Sequence, residues 1–187
     1  MNERARFPLR RAPVSVALLL ILAAVSPPAV AGGAEKLAGF VDGRALIEAV
    51  GDDAVTVEIS LSGPLLTALT KVDPELHALA GGLESIHAVV LEPAGSLDRK
   101  RLHALVAEID AKLIGQGWER LAHVREPDAE VKLLVLSAGE AIRGLVVMVL
   151  EEDEVVFANL AGTLDLAKIA AIGEGLDLPG LDRIDPD

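Results

Sequence analysis

From residue 55 onward the chain is organised by alternation. Val55, Val57, Ile59 and Leu61 fall on one side of an extended segment, and Thr56, Glu58 and Ser60 on the other, which is the period of a half-buried strand. Ser85 to Leu91 is apolar at both parities, as a strand covered on two sides must be. Four more apolar runs (118–125, 130–136, 142–150 and 154–161) are separated by Glu126-Pro127-Asp128, Ser137 to Glu140 and Glu151 to Glu154. These short polar connections predict an antiparallel meander. Between the first two strands, Ser62 caps a helix that has Pro64 in its first turn; Asp73-Pro74 interrupts it, and a second helical piece ends at Gly81-Gly82. Leu102, Leu105, Val106, Ile109 and Leu113 recur at helical spacing after Ser96, the expected cap, and Gly115 and Gly117 close that helix. Phe40 to Val50 predicts a short helix ahead of the first strand, and Asp165 caps a last one, Leu166 to Ile172.

The expected fold is α+β, a two-layer sandwich of order β-α-β-α-β-β-β-β-α. Its helices pack on one face of a mixed, mostly antiparallel sheet. Residues 32–54 form a flexible lead-in holding the short helix, 55–173 a single domain, and 174–187 an acidic tail. The meander is apolar on both faces. Val131, Leu133, Val135, Val146, Met148, Val155 and Phe157 are assigned to one; Leu134, Leu136, Leu145, Val147, Val149, Val156 and Leu160 are assigned to the other. A sheet covered by helices on one side is normally polar on its second. The second set is therefore the candidate interaction surface. The N-terminal segment and C-terminal helix shield it, or a second molecule does.

The first 31 residues set the compartment. Arg4, Arg6, Arg10 and Arg11 precede the apolar run Val14 to Val25; Pro27 and Pro28 break it, and Ala29-Val30-Ala31 offers a small-x-small cleavage site. This is the pattern of a secretory signal peptide cleaved after Ala31. The run is shorter than the roughly 20 residues of a membrane span, so no stable anchor is expected after cleavage, and a periplasmic or secreted location follows. An uncleaved signal anchor is the alternative.

Charge and composition narrow the functions. The whole chain carries 17 basic and 29 acidic side chains, a formal charge of −12. The leader removes four of the former and one of the latter, so the exported part is more acidic still. Such a charge repels phosphate backbones and argues against nucleic acid. The chain has no cysteine, which excludes disulfides, thiolate nucleophiles and Cys-bound metal. Beyond the leader the aromatic residues are Phe40, Trp118 and Phe157, too few for a sugar- or base-stacking platform. The histidines His77, His87, His103 and His123 show no H-x-H, H-x-x-x-H or H-E-x-x-H spacing. A nucleophile elbow is absent, and Ser60, Ser62, Ser85, Ser96 and Ser137 read as strand, cap or turn residues. Glu108 and Asp110 are two apart on a helix and do not face each other. Glu151-Glu152-Asp153-Glu154 reads as a solvated hairpin tip, with a calcium site as the sharper alternative. No catalytic, cofactor or metal residue is assigned, and no cofactor is expected.

Several segments together resemble the bacterial domain-of-unknown-function family numbered 4252. They are Val57 to Leu66 (VEISLSGPLL), Asp73-Pro74-Glu75-Leu76, Gly82 to Ile86 (GLESI), Gly117-Trp118-Glu119, Ile142-Arg143-Gly144-Leu145 and Val156 to Gly162 (VFANLAG), spanning roughly residues 55–165. The resemblance implies an exported envelope protein with no assigned activity and no catalytic positions to transfer. Relatives that are lipid-anchored differ from this chain, which has no cysteine; some lie beside sigma-factor regulators. The expectation is a non-catalytic exported domain working through protein contacts, with a second copy or an envelope protein as partner through the apolar face. The alternative is a small-molecule, lipid or metal-binding envelope protein or hydrolase that uses some of the four histidines.

Overall fold

The computed structural model describes residues 37–72, 77, 80–92, 98–127, 129–165 and 169. Helix α1 (Arg44–Val50) and a single 3-10 turn (Asp52–Ala54) lead into β1 (Val55–Ser62), α2 (Gly63–Val72) and β2 (Leu83–Leu91). Helix α3 (Arg99–Gly115) follows, then β3 (Glu119–Arg125), β4 (Glu130–Ala138), β5 (Ala141–Leu150) and β6 (Val155–Leu164). The fold is α+β, and each expected strand is present. The expected leader, the acidic tail, Ser96 and most of the helical piece after Pro74 lie outside the described residues. His77 and Ala80 of that piece are helical, and the Gly81 N–H donates to the His77 carbonyl at 2.9 Å.

One expectation is corrected. The sheet is not mixed: its six strands run in the order β1-β2-β6-β5-β4-β3, and all five pairings are antiparallel. The β2–α3–β3 unit reads in sequence like a parallel crossover, and its two strands do point the same way. They stand at positions two and six, however, because the meander folds back and β6 inserts between β2 and β5. Parallel strands that are not neighbours form no parallel ladder.

The cap of α3 also differs. Asp98, not Ser96, is the N-cap; its carboxylate accepts from the Arg101 N–H at 3.1 Å. Asp98→Ala is expected to cost about 1 kcal/mol of stability in urea unfolding.

The sequence predicts helices on one face only; in the structure they cover both, unequally. Leu46 of α1 and Leu102, Val106 and Leu113 of α3 pack with Trp118 against Val89, Leu134, Val146, Met148 and Phe157 on the first face. On the second face α2 reaches the β1–β2 corner, where Leu66 meets Leu61 and Ile86. Among the described residues, the rest of that face is made by the strands and Ile169.

Candidate functional site

The second face of the sheet is the largest candidate surface. Leu133, Leu145, Val147, Val149 and Val156 line it, each at most 2 % exposed in the chain. Of the seven sequence-assigned positions, Leu145, Val147, Val149, Val156 and Leu160 do share this face. Leu134 and Leu136 do not: they belong to the cluster under α1 and α3. Pairing Leu134 with Val146 and Leu133 with Val147 puts β4 one residue out of the expected phase. Leu133 to Leu136 is apolar at both parities, so that stretch does not by itself reveal the slip, which moves each side chain to the opposite face. Among the described residues, Ile169 is the one member of this buried cluster from outside the strands; its N–H donates to the Asp165 carbonyl at 3.2 Å.

A second feature, on the first face, was not expected from sequence. Helix α3 carries Asp110 and His103 toward the β3–β4 hairpin, where they meet Arg120, His123, Arg125, Glu130 and Lys132. The Glu130 carboxylate is buried, and three side chains donate to it: His103 Nδ1 at 2.5 Å, His123 Nε2 at 2.9 Å and Arg125 Nη2 at 2.8 Å. Lys132, also buried, lies between the two acids, 3.6 Å from Glu130 and 3.4 Å from Asp110. Arg120 completes the ladder with a two-pronged contact to Asp110, at 2.5 and 3.3 Å. Burial pushes the Glu130 carboxyl up. The hydrogen bonds from Arg125, His123 and His103 and the Lys132 charge outweigh it and hold the group at about 2. Asp110 is likewise raised by burial but lowered further by Arg120 and Lys132, and it ends below its ordinary range.

The ladder locks α3 to the sheet edge in one register and orientation. Each imidazole commits one ring nitrogen to Glu130, which orients the ring. Among the described residues, however, no three His, Cys, Asp or Glu side chains are grouped to hold a metal ion. A sequence signal for the ladder did exist. Asp110 occupies a core position of α3, four residues after Val106 and three before Leu113, and Lys132 interrupts an otherwise apolar strand. Charges at inward positions of a periodic pattern need partners inside.

The remaining candidates are dispersed. His77 is exposed and His87 is buried elsewhere on the first face. Glu108 is exposed on α3, away from Asp110. The Glu151–Glu154 tip is a tight turn in which the Glu151 N–H donates to the Glu154 carbonyl at 2.8 Å. There burial, then Asp153, raises the Glu151 carboxyl.

Comparison with known proteins follows this architecture closely. The profile of the family Domain of unknown function (DUF4252) matches residues 50–172, from the end of α1 through the segment that contains Ile169. The chain belongs to the DUF4252 family. Within this DUF4252 protein, the matched region takes in all six strands, both sheet faces and the charge ladder, and it leaves out residues 1–49. No curated protein and no solved structure matches the chain. Among the described residues, no helix is long and apolar enough to cross a membrane.

Proposed function

We propose that this protein is exported and acts through contact, not catalysis, using the second sheet face to bind a second copy of itself. The observation that carries this reading is the extent of that face relative to its described cover. Six strands spaced about 4.8 Å apart make a face roughly 24 Å wide, whereas a helix is about 10 Å across. Helix α2 reaches the β1–β2 corner, and Ile169 adds an apolar side chain from outside the strands. Val131, Leu133 and Val135 on β4, with Val147 and Val149 on β5, extend the same apolar face beyond these and are each at most 7 % exposed in the single chain. Outside the described residues, the long apolar run is Val14 to Val25, which cleavage after Ala31 would remove. Pairing this face with its own equivalent about a twofold axis would lay a second apolar layer over it in the exported chain.

The test begins from expression of the full 187-residue chain. Intact mass of the protein recovered from the envelope or medium reads cleavage, and light scattering reads the assembly. The expected result is a chain cleaved after Ala31 at twice the single-chain mass. A cleaved wild-type chain that stays a folded monomer at high concentration would overturn the reading.

A further inference from the structure

The segment ahead of α1 is strapped across β6 and β2 on the first face by one side chain. Asn159 is fully buried; its Oδ1 accepts from the Val41 N–H at 3.0 Å, and its Nδ2 donates to the Gly39 carbonyl at 2.9 Å and to the Leu145 carbonyl at 3.1 Å. Its amide thus reads the N–H and the C=O of alternate residues, much as a neighbouring strand would. Gly39, at φ 88°, lies so close to Arg143 and Gly144 that a Cβ would fall 2.2 Å from the Arg143 carbonyl oxygen. Phe40, held between these two anchors, lays its ring 6.4 Å from His87, and Phe157 approaches the imidazole from beneath at 6.0 Å.

His87 is 8 % exposed, and its buried Nε2 has no hydrogen-bond partner. Histidine is the side chain most readily charged between pH 5 and 8, and a buried charge without a hydrogen-bonding partner is costly. We propose that the Gly39–Val41 strap is an acid-released latch: protonation of His87 expels Phe40, frees the strap from Asn159 and uncovers Phe157. The family match begins at residue 50, so the strap lies outside the matched region, while His87, Asn159 and Phe157 lie inside it.

The charged groups around His87 set the sign. The strap and α1 present Asp42 and Arg44, and β1 presents Glu58; β6 presents Asn159 and Phe157, which do not titrate. Burial lowers the His87 pKa, Arg44 acts in the same direction, and Asp42 and Glu58 oppose it without prevailing. The latched form therefore takes up a proton less readily than the released form. Latching is strongest above the ordinary histidine value of 6.5 and weakens as pH falls through it. By linkage the expected loss between pH 7.5 and 5.5 is at most about tenfold, above the range where ordinary carboxylates titrate.

Native-state hydrogen exchange of the full chain tests this at the Val41 amide. Its protection factor is expected to fall, by up to about tenfold, from pH 7.5 to 5.5, while the Leu133 and Val147 amides keep theirs. In His87→Phe, which fills the site with a ring that cannot be charged, Val41 protection is expected to be equal at both pH values. His87→Gln serves the same purpose if the phenylalanine variant does not fold. Asn159→Ala is expected to lower Val41 protection at both pH values. Equal protection at pH 7.5 and 5.5 in the wild type, or the same fall in the His87 variants, overturns the latch.

Discussion

Glu130→Ala is expected to lower the unfolding free energy by about 3 kcal/mol at pH 7. The carboxylate is buried, and so is Lys132 beside it. Removing it leaves an ammonium inside with Asp110 as its remaining partner, and strips His103, His123 and Arg125 of their shared acceptor. Breaking one side of a buried pair costs more than the pair itself contributes, because the stranded charge cannot recover its water. Glu130→Gln keeps an acceptor in place but not the charge, and it is expected to lose roughly half as much.

The same residue shapes the acid limb of stability. In the fold it holds its charge down to about pH 2; the unfolded chain takes up the proton near the ordinary value of 4.5. Its contribution is therefore complete above about pH 4.5 and disappears as pH falls toward 2. Because Arg125 and both imidazoles reach solvent, the amount lost is on the order of 2 kcal/mol, below the full value of the shift. Urea midpoints measured from pH 6 to 2 should converge for wild type and Glu130→Ala at the acid end. A constant offset across that range would show that the carboxylate does not act through its charge.

Phe157→Ala is expected to be the most damaging single truncation, at about 4 kcal/mol. The ring is 1 % exposed and pairs with Val89 on β2 and Met148 on β5, at the centre of the inserted strand. Gly43 lies so close that a Cβ there would be 2.6 Å from the ring, so α1 approaches the sheet directly over it. The void cannot close easily, since paired strands hold it on two sides and a backbone segment roofs it. Phe157→Leu retains most of the volume and is expected to cost about 1 kcal/mol. If both variants unfold at the same denaturant concentration as the wild type, the first-face core is not packed around this ring.

The arrangement of strands was legible wherever the pattern was local. The alternation in Val55 to Leu61, the polar turns at Glu126 to Ala129 and Glu151 to Glu154, and the stripe of α3 each depend on residues close in sequence. They predicted the corresponding elements to within a few residues. The capping of α3 moved from Ser96 to Asp98 because two acceptable cap residues lie two apart, and a choice between them rests on where the packed stripe begins.

By itself the sequence determined the α+β class, the number of strands and the double-sided apolarity of the meander, because backbone period and side-chain polarity are properties of neighbours along the chain. Tertiary structure alone decided that β6 lies between β2 and β5, that Leu134 and Leu145 face opposite ways, and that Asp110, Glu130 and Lys132 meet in one ladder. Those outcomes depend on register between strands whose central stretches are apolar at both parities, and on contacts such as Asp110 with Lys132, 22 residues apart. A one-residue shift there reverses faces without changing any local preference.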